Sequence, residues 1–448
     1  MTASPLKHES LAALQRQTFQ YFLHECNPRN GLIADKTDAA SFASIAAVGL
    51  ALSAYPVGVE RGLISRQDAI ERTLATLRFF QGSEQSQSAD ATGYKGFYYH
   101  FLDMKTGKRA GQCELSTIDS ALLFAGMLVA ATYFDGQASA EAEIRELADT
   151  LYLRADWNWA RNGKASVTHG WNAESGFLPY RWEGYCEALL LYILGMGSPT
   201  FTLPAESYQA WTSTYQWRKV FDLEYLHAGP LFIHQLSHIW IDFREIRDAY
   251  MREKGIDYFE NSARATRIQR RYAIENPRGF KGYGENCWGI TASDGPGPAF
   301  KKIGGSRREF FGYCARGVPD GPDDGTIAPW AAAASLPFAP EIVLPALQEY
   351  ENMNLRTPHK YGFKSTFNRT FESGEGGQQF WISPYHFGLN LGPILLMIEN
   401  FRSGLLWRLM RRCSYVVNGL ERAGFNGGWL RDPLSFSTGH GESNQDDH

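Results

Sequence analysis

Apolar residues recur at helical spacing along nearly the whole chain, and strictly alternating stretches are few. Residues 10–25 put Leu11, Leu14, Phe19, Phe22 and Leu23 on one helical face, and Asn27-Pro28-Arg29-Asn30-Gly31 ends the run. The stretch 41–54 carries Ala43, Ala46, Ala47, Gly49 and Ala51, which predicts a helix packed closely against a neighbour. Ser65 is the expected cap of a helix with Ile70, Leu74, Leu77 and Phe80 on its face. Ser116, with Asp119 three positions on, forms a capping-box-like start to a long helix over 120–134. Further helices are expected over 139–155, 184–195, 232–251, 258–275, 326–334, 340–350, 389–400 and 405–423. Gly96 to Asp103 reads as a short strand pair turning at Lys105–Lys108, 157–178 as a loop or hairpin, and 279–322 as a long, Gly-rich functional loop. About twelve helices, strands only in connections and no βαβ rhythm predict an all-α fold. The expected form is an (α/α)6 toroid, a double ring of helices with short β-hairpins in its loops. It would occupy residues 1–430 as one catalytic domain, with 431–448 as a disordered C-terminal tail.

Composition narrows the partners. The 448 residues carry a formal net charge of −4, which leaves no electrostatic footprint for nucleic acid. No apolar stretch of membrane-spanning length occurs and no run of like charges marks a membrane-surface patch. The N-terminus lacks the apolar core of a signal peptide, so a cytoplasmic location is expected, or a periplasmic one if a presequence has been removed. Six scattered cysteines without a C-x-x-C pair read as free thiols. Twelve tryptophans suit a sugar-binding cleft and suit a core equally well.

No phosphate-binding loop, dinucleotide fingerprint, H-E-x-x-H or G-x-S-x-G is present, so the chemistry must rest on carboxylates. Glu183 and Glu187 stand four apart at the entrance to the apolar run Ala188–Leu194, beside Trp182 and Tyr185. On one helical face, like charge and burial would hold one of them protonated near neutral pH. A solvated first helical turn is the plain alternative. A second group is Asp103, Glu114 and Asp119, where Asp119 is either a base or a helix cap. A third is Glu285, Trp288 and Asp294 in a loop too rich in glycine to be core. Asp324 is either part of the site or a cap. His234 and His238, four apart on an expected helix, read as a packed or cleft-lining pair rather than metal ligands. Asp242 and Arg244 read as structural ion pairing.

Taken in order, several stretches resemble glycoside hydrolase family 144, the bacterial glycoamylase-like proteins. They are Gly96–Asp103, Glu114-Leu115-Ser116-Thr117-Ile118-Asp119, Trp182-Glu183-Gly184-Tyr185-Cys186-Glu187, Pro230–His238, Glu285–Gly295 and Gly392–Asn400. The resemblance spans roughly residues 10–425 and implies the toroid and inverting, endo-type or disaccharide-releasing hydrolysis of β-1,2-glucan, with no cofactor or metal. It places Glu187 in the cleft; as a hydrolase the chain would use Glu187 as proton donor, with Asp119, Glu114 and Glu285 ranked as its partner. His100, Asp103, Trp182, Glu183, His234, His238, Trp288, Asp294 and Asp324 are the expected substrate contacts. Cyclic β-1,2-glucan synthases look similar over the same stretches, so transglycosylation is an alternative. So is a silent glycan-binding protein, because Asn390 stands where the family pattern leads one to expect an acid, and a neutral Asn cannot act as a base.

Overall fold

The computed structural model describes residues 6–357, 359–372 and 379–431; the expected C-terminal tail lies outside them, apart from Arg431. Sixteen α-helices and two 3-10 helices are found among the described residues, joined by short antiparallel hairpins. The number exceeds the sequence expectation because two predicted runs are broken and because Trp157–Ala160, Ala205–Thr212 and Gly428–Arg431 are helical where no helix is expected. Residues 232–251 split into Leu231–His234, Leu236–Trp240 and Ala249–Lys254. Asp242 accepts bonds from Arg244 in the gap, and Asp248 caps the last piece through the Met251 N–H. The C-terminal run likewise divides into Leu405–Arg411 and Ser414–Arg422.

Small residues set how closely the helices approach. Ile45–Glu60 crosses Thr117–Tyr133 at Gly49 and Gly126. A Cβ on Gly49 would lie 2.3 Å from the Leu122 carbonyl, and one on Gly126 2.1 Å from the Gly49 carbonyl. Ile45–Glu60 also packs on Gly388–Arg402, which packs on Pro329–Ala334 and Leu236–Trp240. Thr117–Tyr133 packs on Ala188–Gly197, and that helix on Leu236–Trp240. Gln235 joins Leu236–Trp240 to Pro329–Ala334, its Nε2 donating to the Ala331 carbonyl at 2.6 Å and to Ser335 Oγ at 2.7 Å. Buried apolar side chains from all six helices form one continuous cluster. None of the described helices is long and apolar enough to cross a membrane.

The strand reading needs one correction. The turn at Lys105–Lys108 is present, with Leu102 bridged antiparallel to Arg109, but Gly96–Asp103 divides into Phe97–Tyr99 and Phe101–Leu102, which belong to different sheets. Phe97–Tyr99 joins a five-stranded sheet with Gly93–Tyr94, Leu115–Ser116, Gly170–Asn172 and Gly176–Phe177, while Phe101–Leu102 pairs with Ala43–Ser44. The consequence is positional. Leu115–Ser116 lies centrally in its sheet, and Ser116 ends that strand by capping the helix at Thr117, its Oγ accepting from the Asp119 N–H. Ser44 does the same for Ile45–Glu60.

Candidate active site

A cavity of about 510 Å³ lies where helix N-terminal ends meet. Ser116 and Asp119 come from the start of Thr117–Tyr133, Glu187 from the residue before Ala188–Gly197, and Leu236 and Trp330 from the first turns of their helices. Leu389 and Asn390 come from the start of Gly388–Arg402. Each N-terminus carries partial positive charge, so the cavity tolerates carboxylates better than an apolar wall would.

Glu187 is half-buried and occupies the N-cap position, without a side-chain capping bond. Burial, and secondarily the charge of Asp119, raise its pKa to about 7. The expectation that Glu183 stacks over it on a helix fails. Gly184 adopts φ +69°, a left-handed turn, the helix begins only at Ala188, and Glu183 is exposed outside the cavity. The like-charge neighbour is therefore Asp119.

Asp119 is buried, taking the hydroxyl of Ser116 on Oδ2, and its Oδ1 lies 3.7 Å from His100 Nε2. His100 Nδ1 meets Glu114 Oε1 at 2.9 Å. Burial alone would lower the His100 pKa, but Asp119, Glu114 and Asp35 outweigh it and push it up to about 9. For Glu114 burial acts upward, yet the His100 bond holds its carboxyl below the usual range. His100, Glu114 and Asp119 place ligating atoms within 4.8 Å of one another, a spacing a metal ion could use. With both ring nitrogens of an imidazolium facing carboxylates, the trio instead neutralises part of its own charge. Trp182 forms a wall, its Nε1 donating to Thr117 Oγ1 at 3.0 Å and its ring stacked on His169 with centroids 4.0 Å apart. Asp294 accepts from the hydroxyls of Ser365 (2.6 Å), Thr366 (2.9 Å) and Ser383.

Thus His100, Glu114, Asp119, Trp182, Glu187 and Asp294 converge. The remaining candidates do not line this cavity. Glu285 is exposed and paired with Arg270, which removes it as a partner for Glu187. Asp103 caps a surface turn, accepting the Lys105 and Thr106 N–H groups. His234 and His238 are buried, bonded to the Ala228 carbonyl and Ser262 Oγ, and desolvation drives each pKa down to about 3. They are neutral core histidines. Trp288 is fully buried in the core. Asp324 forms a wholly buried pair with Arg316, at 2.7 and 2.8 Å, that ties together the 293–324 loop.

Pattern reading missed Asp35 and Tyr313. Asp35 lies in an irregular segment ahead of Ala43–Ser44, and burial raises its pKa to about 6, with Asp119 adding and His100 and Lys36 opposing. Tyr313 follows the hairpin Ala299–Ile303/Ser306–Phe310 and stands 73% exposed in the cavity, where Glu187, Asp119, Asp35 and Asp294 all bear on its hydroxyl. The only hint in the sequence was the glycine-rich loop around it. Asn390 donates to Ser365 Oγ at 2.8 Å, and Ser365 in turn donates to Asp294.

The sequence profile of the Glycoamylase family, a glucoamylase-type family, matches residues 179–414, more than half of the chain. The chain belongs to the Glycoamylase family. Among solved structures, a glucoamylase-type member from Bacteroides uniformis is 32% identical, with a TM-score of 0.83 over 96% of this chain and 100% of its own. The endo-β-1,2-glucanase of Chitinophaga pinensis, solved with sophorotriose and glucose, is 28% identical, with a TM-score of 0.81 over 96% and 100%. A curated relative, the exo β-1,2-glucooligosaccharide sophorohydrolase (non-reducing end) of Parabacteroides distasonis, is 28% identical over 94% of this Glycoamylase chain. The chain spans 58% of that relative's length.

Proposed function

We propose that this chain is a glycoside hydrolase cleaving β-1,2-linked glucan, with Glu187 as the proton donor. The observation that carries this is a carboxyl whose pKa sits at about 7, facing a cavity shared with four other carboxyls. A carboxyl still holding its proton near neutral pH can protonate the glycosidic oxygen as the bond breaks. A second cavity carboxylate would take a proton from the attacking water, the single-displacement route that inverts the anomeric centre. Trp182 and Tyr313 offer flat faces to the sugars. The substrate class rests on the Chitinophaga and Parabacteroides relatives. The endo mode follows the Chitinophaga enzyme, which is matched over its full length, whereas the exo-acting relative is matched over little more than half.

The packing of the six helices that bring their N-terminal ends or flanking residues to the cavity, each against its neighbours, supports an (α/α)6 toroid, with the remaining long helices outside them. Likeness to relatives over nearly all of the chain supports one catalytic domain through residue 430. Glu187→Gln assayed on β-1,2-glucan tests the reading. Turnover should fall by about 10²–10⁴-fold, and wild-type turnover would refute it.

A further inference from the structure

Which carboxylate receives the proton of water is decided by how each one is already engaged. Glu114 is bonded to His100, Asp119 takes the Ser116 hydroxyl beside the same imidazolium, and Asp294 takes three hydroxyls. A carboxylate whose oxygens already accept from neighbours has fewer free lone pairs to offer a water. Asn390 is neutral and spends its N–H on Ser365. Asp35 differs. Among the described residues no donor reaches its carboxyl oxygens, while its backbone is fixed on both sides. The Asp35 N–H donates to the Phe42 carbonyl at 2.8 Å, and the Gly388 N–H donates to the Asp35 carbonyl at 2.9 Å.

Those bonds also place it. Asp35 lies at the seam between Gly388–Arg402 and the strand leading into Ile45–Glu60. Following the packed helices from that seam, Thr117–Tyr133 with Asp119 comes before Ala188–Gly197 with Glu187. In the other direction, Pro329–Ala334 and Leu236–Trp240 intervene. Asp35 and Glu187 therefore occupy facing walls, and Asp119 lies between them, its charge reaching both.

Building on the hydrolase reading, we infer that Asp35 is the general base and forms the catalytic pair with Glu187. As the water oxygen bonds to the anomeric carbon, one water proton passes to the Asp35 carboxylate. The glycosidic C–O bond breaks with its electron pair moving to the leaving oxygen, which takes the proton of Glu187. Asp35 ends protonated and Glu187 ionised, and exchange with solvent restores both.

The test pairs Asp35→Asn and Glu187→Gln on β-1,2-glucan and on 4-nitrophenyl β-sophoroside, whose leaving group needs no proton. Glu187→Gln should lose about 10²–10⁴-fold on glucan and recover most of it on the aryl substrate. Asp35→Asn should lose at least about 10²-fold in kcat on both, while sophorotriose affinity by calorimetry changes less than about threefold. That affinity also certifies a folded site, and Asp35→Ser serves as a second variant expected to show the same split. Two results would overturn Asp35 as the base: Asp35→Asn turning over either substrate like wild type, or a loss confined to KM and affinity, which marks a hydroxyl acceptor only. Wild-type turnover of glucan by Glu187→Gln would instead refute the hydrolase reading beneath it.

Discussion

Replacing Glu187 with Gln should stabilise the protein above about pH 5 even as it slows glucan hydrolysis. In the unfolded chain this carboxyl titrates near 4.5, and in the folded protein at about 7. Between these values the native state binds more protons than the unfolded one, so stability declines as pH rises. The contribution is fully present below pH 4.5 and lost as pH passes through about 7. At about 1.4 kcal/mol per unit the shift corresponds to about 3 kcal/mol. Because the side chain is half-buried and opens into the cavity, solvent screening reduces this to about 1–2 kcal/mol. Gln keeps the size and loses the charge. Chemical denaturation of both proteins from pH 4 to 8 should give coincident midpoints at the acid end. A gap in favour of Glu187→Gln should open through the pH 5–7 range and level off above it. Parallel curves, or a variant less stable at pH 8, would show that the carboxyl is not desolvated as argued.

Three further outcomes follow. Hydrolysis should fall about tenfold per pH unit above about pH 7 as Glu187 loses its proton, read from kcat–pH profiles on glucan; a plateau to pH 9 would remove it as the acid. Arg316→Met strands Asp324 as a buried unpaired charge and should cost about 3–5 kcal/mol in denaturation, largely recovered when Asp324→Leu is added; a single-variant cost under about 1 kcal/mol would refute the pairing. Trp182→Phe keeps a ring beside His169 but loses the donor to Thr117 Oγ1, and should cost about 0.5–1.5 kcal/mol with kcat on glucan retained within about tenfold.

What could be read from the sequence followed from local physics. Ser65 and Ser116 cap the helices their positions predict, and the small residues of 41–54 mark a close helix crossing because Gly49 admits a backbone where a Cβ would collide. Six of the thirteen candidate residues meet in one cavity. Four of the misplacements, Glu183, His234, His238 and Glu285, share a cause, which is that nearness along the chain does not fix nearness in space. Glu183 and Glu187 are four apart, but the left-handed turn at Gly184 takes Glu183 off the helix. His234 and His238 are also four apart, but the helix breaks at Gln235 and both rings are buried. Glu285 and Asp294 share a loop, and only Asp294 reaches the cavity, held by hydroxyls contributed from Ser365, Thr366 and Ser383 some 70 to 90 positions later. Asp35 carries no local signal, since its role depends on Gly388 and Phe42 fixing an irregular segment against two helix ends.

The distribution of charge in the cavity argues that its carboxylates divide their labour by engagement rather than by burial. All five are sheltered, yet the His100 bond holds Glu114 down, while burial moves Glu187 and Asp35 up. One imidazolium cannot neutralise them all, and the helix N-termini each add only about half a positive charge. Burial acts with no side-chain hydrogen bond to offset it on Glu187 and Asp35, the two carboxyls proposed to exchange protons. Giving either a hydrogen-bond donor would relieve that cost and lower its pKa, removing the proton Glu187 needs or the basicity Asp35 needs. Glu114, Asp119 and Asp294 are already engaged by histidine, serine and threonine, which fixes their oxygens in place to accept sugar hydroxyls. Asn390 fits the same division. An acid in its place would contribute no donor to Ser365 once ionised, and would set a further negative charge near Asp294, in a cavity that already holds more than it can offset.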